Sequence, residues 1–111
     1  MTIPAQRNDY LPFGLDVVPD RERILVVPHG EIDLATVDQI RSRLVELEGA
    51  GFEQIVLDLR HVTFLDSTGL RLILEEVRND RLGFAVIAGD YAIQRVFEIS
   101  GLLDVIPFIE R

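Results

Sequence analysis

The chain has 111 residues, enough for one domain with its own apolar core and too few for two. Nineteen acidic against eleven basic side chains leave a formal charge of -8, the wrong sign for a surface that tracks nucleic-acid phosphates and a fitting one for a protein that meets a basic partner. There is no cysteine and no lysine, which removes disulfides, thiol chemistry, Schiff bases and a phosphate-loop lysine together.

Residues 1–12 carry Pro4 and Pro12 without hydrophobic periodicity, which predicts a flexible arm ahead of a single domain over 13–111. They also lack the basic start and apolar run of a signal peptide, and no window approaches a membrane span, so the expected setting is soluble and cytoplasmic. FGLDVV (13–18) and RILVVPH (23–29) read as strands joined by the turn PDRE, an antiparallel hairpin. Pro28 has no N–H to give to a ladder and predicts a strand end or a bulge.

The period then turns helical, with Leu34, Val37, Ile40, Leu44 and Leu47 on one face, Asp33 as the expected N-cap, and Gly49 and Gly51 as the stop. In QIVLDL (54–59) the apolar residues Ile55, Val56 and Leu57 are consecutive. That pattern belongs to a strand covered on both faces, inside a sheet flanked by helices. Arg60 and His61 are expected to lead a short connection in which Val62, Phe64 and Leu65 turn back into the core. The next helix runs from Asp66 to about Asn79 with a stripe of Leu70, Ile73, Leu74 and Val77. On the wheel Leu72 falls opposite that stripe, beside Arg71 and Glu75, where it would add to a docking surface. GFAVIAG (83–89) predicts a buried strand, Asp90 caps a third helix reaching Ser100, and the tail 104–110, broken by Pro107, predicts an edge strand. The sum is an α/β fold, a small mixed sheet with parallel core strands, an N-terminal antiparallel hairpin and three to four helices.

Catalytic signals are missing from this sequence. His29 and His61 flank strand ends without HExxH or similar ligand spacing, and neither a nucleophile elbow nor a Gly-rich phosphate or dinucleotide loop occurs. The acidic pairs Glu31 with Asp33, and Asp58 with Asp66, fit caps and solvated faces better than general acid/base work. No metal, cofactor or catalytic residue is expected, and recognition remains.

The richest segment is DSTG. Asp66 is the residue type that accepts from the free N–H groups of a first helical turn, which puts Ser67 at N1 and Thr68 at N2. Gly69 costs helix propensity of up to ~1 kcal/mol against alanine, so it marks a close approach by a neighbouring loop or a partner. On the partner reading, Gly69→Ala leaves the fold intact or slightly steadier and weakens binding. Loops after parallel strands share one edge of a sheet, so GEID (30–33) and FLDSTG (64–69) are expected to be neighbours.

DLRHVTFLDSTGL (58–70) and GEIDLAT (30–36) together resemble the two motifs of the bacterial anti-sigma factor antagonists of the STAS domain family, and the likeness extends over about residues 13–110. The resemblance implies a phosphoswitch. The unmodified protein would bind an anti-sigma factor that is also a serine kinase and so release a sigma factor. Ser67 would be phosphorylated with ATP held by that kinase, affinity would fall, and a serine phosphatase would restore it. Asp33 and Asp66 match the family's acidic positions and Gly30 and Gly69 its loop glycines. The expected partner surface is Gly30, Glu31, Asp33, Asp66, Ser67, Thr68, Gly69 and Leu72, with no direct nucleic-acid or membrane contact and room for weak self-association. The family's alternative is a non-enzymatic scaffold or subunit of a stress-sensing or lipid-transport complex.

Overall fold

The computed structural model describes residues 12–79 and 83–110, so the arm expected over 1–12 lies, but for Pro12, outside the described residues. The hairpin forms first in the chain: β1 (Gly14–Asp20) and β2 (Arg23–Ile32) are antiparallel, with Asp20 opposite Arg23 across a two-residue turn and ion-paired to it at 2.9 Å. Then follow α1 (Val37–Glu48), β3 (Gln54–Asp58), β4 (Val62–Leu65), α2 (Ser67–Asn79), β5 (Ala85–Ile87), α3 (Tyr91–Ile99) and β6 (Phe108–Ile109). The sheet order is β1-β2-β3-β5-β6, with β4 on β2, and every pairing after the hairpin is parallel.

β2 serves two parallel neighbours in succession. Residues 23–26 pair with β3 and residues 30–32 with β4. Pro28 falls in the gap between them, where its missing N–H costs no parallel ladder bond. The strand therefore runs on through Pro28 to Ile32, and the irregularity expected there comes two residues later, as a register shift between Gly30 and Glu31. Gly30 takes φ +110, open to glycine and strained for other residues. Across the shift Gly30 faces Val62 and Glu31 faces Phe64, so Thr63 is the extra residue of β4. The expected connection after β3 is thus a strand.

Ile55 and Leu57 point into the main core with Ile24, Val26 and Val86, against Val37, Ile40 and Leu44 of α1, Leu72 and Ile73 of α2, and Ile93 and Phe97 of α3. Val56 points the other way and joins Leu25, Val27, Ala85 and Ile87 in a second buried cluster, drawn from strands alone among the described residues. Burial on both faces explains the unbroken apolar run. Burying a side chain of this size is worth about 1.5 to 3 kcal/mol, so these strands hold the frame on which the loops sit.

Two helices differ from their predicted faces. α1 begins at Val37, with Thr36 rather than Asp33 at the N-cap position, and Leu34 is 76% exposed. α2 turns Gly69, Leu72 and Ile73 inward and leaves Leu70, Leu74 and Val77 half-buried. Leu72 is 1% exposed, inside the core, and offers nothing to a partner. The wheel erred because glycine carries no hydrophobic signal, yet Gly69 lies on the innermost line of the helix.

Candidate functional site

The backbone brings the two motifs together at one edge of the sheet. Gly30 N donates to the His61 carbonyl at 3.1 Å, and Asp66 N donates to the Ile32 carbonyl at 3.3 Å. Asp33 and Ser67 therefore each stand one residue beyond an end of that second bond. The GEID side is a turn held by its own polar groups: Asp33 Oδ1 accepts from Ala35 N at 2.9 Å, while Thr36 Oγ1 accepts from Asp33 N at 3.0 Å and donates to the Glu31 carbonyl at 2.7 Å. Thr36 thus serves the loop, and makes no side-chain cap of α1.

On the other side Asp66 caps α2. Its Oδ1 accepts from Thr68 N at 2.9 Å and Gly69 N at 3.3 Å, and its carbonyl accepts the first helical bond from Leu70 N at 3.1 Å. The same oxygen takes the Thr68 hydroxyl at 2.5 Å. That hydroxyl bond is the largest influence in holding the Asp66 carboxyl below its usual range; partial burial opposes it and the backbone N–H groups of Gly69 and Thr68 add to it. Thr68 is half-buried and committed. Ser67 is exposed, and among the described residues its hydroxyl has no hydrogen-bond partner.

Gly69 is closed off by this chain itself. A Cβ built there would fall onto Leu65 Cδ1 and within 2.8 Å of Ile32 Cγ2. The close approach comes from β2 and β4, so Gly69 is withdrawn from the expected partner surface and alanine there would be overpacked. Gly30, half-buried against Phe13, acts through its backbone at the bulge. Glu31 is exposed, beside Phe64 in register.

Asp58 does not join Asp66 as an acid pair. It is 1% exposed and accepts from Arg60 N at 3.0 Å, Arg60 Nε at 3.0 and 3.2 Å and Arg60 Nη2 at 2.7 Å. Burial pushes its carboxyl up, but the Arg60 hydrogen bonds and the charges of Arg60 and His61 together outweigh that and hold it below the ordinary range. Next to this turn the rings of His29 and His61 stack at 4.8 Å, and His29 Nε2 lies 2.9 Å from Asp16 Oδ2.

Two apolar side chains assigned to the core stand at the site instead. Leu34 follows Asp33, and Phe64, 47% exposed, precedes Leu65 and Asp66. The Thr36-x-x-Gln39 spacing of a capping box was a signal that the helix starts after Leu34. No such signal marks Phe64, whose outward turn depends on the bulge at Thr63.

The site is thus an acidic turn and a helix mouth with one committed and one open hydroxyl, set together at one edge of a mixed sheet whose strands after the hairpin are parallel. The chain belongs to the STAS domain family, whose profile matches residues 17–111. It is 34% identical over 79 residues to the anti-sigma-B factor antagonist of Staphylococcus aureus, across 68% of this chain and 72% of that protein. An anti-sigma factor antagonist from Mycobacterium paratuberculosis shares the fold with a TM-score of 0.80 at 24% identity, covering 90% of this chain and 87% of the other. The Bacillus cell fate determinant SpoIIAA, solved in its phosphorylated form, gives a TM-score of 0.62 at 26% identity, over 90% and 91% of the two chains. No described helix is long and apolar enough to cross a membrane.

Proposed function

We propose that this protein is an anti-sigma factor antagonist whose unmodified form binds an anti-sigma factor with serine kinase activity, and that phosphorylation of Ser67 ends the binding. The observation that carries the reading is the division of labour between adjacent hydroxyls: Asp66 engages Thr68 and leaves Ser67 exposed at the start of α2. The names of the curated relatives and the phosphorylated form of SpoIIAA support it. ATP belongs to the kinase. Its γ-phosphoryl group passes to Ser67 Oγ as the bond to ADP breaks, and the hydroxyl proton leaves to a base of the kinase. A phosphatase hydrolyses the ester and resets the cycle.

The switch is local charge. A phosphate adds ~1.5 to 2 negative charges beside Asp66 and the Asp33 turn, on a chain already at -8. A partner surface matched to a neutral hydroxyl must then bury those charges. One imperfectly paired charge costs several kcal/mol, and each ~1.4 kcal/mol is tenfold in affinity, so a loss of at least about a hundredfold needs no refolding.

The test is phosphopeptide mapping after incubation with the anti-sigma kinase of the same organism and ATP, followed by calorimetric titration of both forms. Modification is expected at Ser67, with none in Ser67→Ala. Stoichiometric labelling of Thr68 in that variant, or affinities of the two forms within threefold, overturns the proposal.

A further inference from the structure

We infer that Arg71 is the intramolecular ligand of the phosphate, so that modification of Ser67 closes an ion pair across the first turn of α2. This rests on the reading of Ser67 as the phosphoacceptor and adds how the phosphate is held. Arg71 is four residues along the helix, about 6 Å in rise, and helical side chains lean toward the N-terminus, which puts Ser67 within reach of its guanidinium. Both residues line one hollow between α2 and the end of α3, together with Leu70, Leu74 and Leu102. The other cation of that hollow, Arg78, is eleven residues along, about 16 Å, and out of reach.

Arg71 is also left available. Its helical neighbour at four residues in the other direction, Glu75, is taken by Arg41 of α1 at 3.3 Å, and Arg41 in turn holds Asp38 at 2.7 Å. Among the described residues the exposed Arg71 makes no ion pair. A guanidinium offers two parallel N–H donors to two phosphate oxygens, a match that a serine hydroxyl does not provide. Phosphorylation therefore changes the hollow twice, by adding an anion at its mouth and by engaging one of the two cations on its rim.

The experiment uses the full chain with phosphoserine incorporated at position 67 during synthesis, so that no kinase is required, and follows the phosphate by 31P NMR against pH. Asp66 and the Asp33 turn act alike in every variant, whereas Arg71 favours the dianion. The second ionisation, near about pH 6, is expected about half a pH unit lower in the wild type than in Arg71→Gln, with Arg71→Lys between them as a point charge without the fork. Superimposable titrations of wild type and Arg71→Gln overturn the inference. A kinase that leaves Ser67 untouched overturns the functional reading instead, and does not alter the titration result.

Discussion

Asp58 ends β3 and Asp66, eight residues on, follows β4, and both carboxyls are held below the ordinary range, by opposite means. Asp58 is sealed in and its charge is answered by one guanidinium two residues on. Asp66 is half-buried and is answered by a hydroxyl and two backbone N–H groups of the helix it caps. The first arrangement consumes both partners and leaves a rigid turn. The second consumes Thr68 and leaves the hydroxyl next to it open, which is why the same residue type closes off its turn at one position and, on the proposed function, belongs to a switch at the other.

Removing the partner of the buried carboxylate should have the largest effect. Arg60→Ala leaves Asp58 charged, buried and short of three hydrogen bonds, and should cost about 3 kcal/mol of unfolding free energy at neutral pH. The sign of its pH dependence is a sharper test. In the wild type the folded carboxyl titrates below its unfolded value, so its contribution is full above about pH 4 and is lost as pH falls through the folded value. In Arg60→Ala the side-chain hydrogen bonds and charge of Arg60 no longer oppose burial and the folded value rises relative to wild type, so the deficit against wild type should grow as pH rises through about 4 and shrink in acid. Urea titrations of both proteins at about pH 3 and about pH 7 measure it, and a deficit independent of pH would break the contrast drawn between the two acids.

Gly69→Ala comes next, at about 2 kcal/mol, because the added methyl meets Ile32 and Leu65 rather than solvent. Thermal unfolding should show the loss in the free protein. A variant as stable as wild type would mean that the helix mouth can shift, and that Asp66 is held less firmly than its hydrogen bonds indicate. Asp66→Ala is the smallest, about 1 kcal/mol for a lost cap. Its more telling readout is the Thr68 hydroxyl: freed from Asp66, Thr68 should become a second phosphorylation site beside Ser67, and mass spectrometry of the kinase-treated variant would detect it.

Much of this was legible locally. The consecutive Ile55, Val56 and Leu57 announced a doubly covered strand, DSTG announced a capped helix, and Asp90 is indeed a cap, accepting from Ile93 N at 3.0 Å. β4 was not legible, since a four-residue strand with one extra residue has no clean period of two, and its two inward residues, Val62 and Leu65, lie three apart.

The order of the elements other than β4, the parallel core after a hairpin and the identity of the helix mouth that carries Ser67 were determined by the sequence itself, because periodicity, caps and turn residues act within a few positions of one another. Which side chains face solvent was decided only in the folded molecule. Leu72 lies inside because Gly69 is on the innermost line of α2, and Leu34 and Phe64 lie outside because the true start of α1 and the β2–β4 bulge set their faces. Gly69 is kept small because Leu65 and, thirty-seven residues earlier, Ile32 pack where its Cβ would be. Such contacts depend on the distance between parts of the chain that meet only once the sheet has formed, and a helical wheel drawn from one segment contains no term for them.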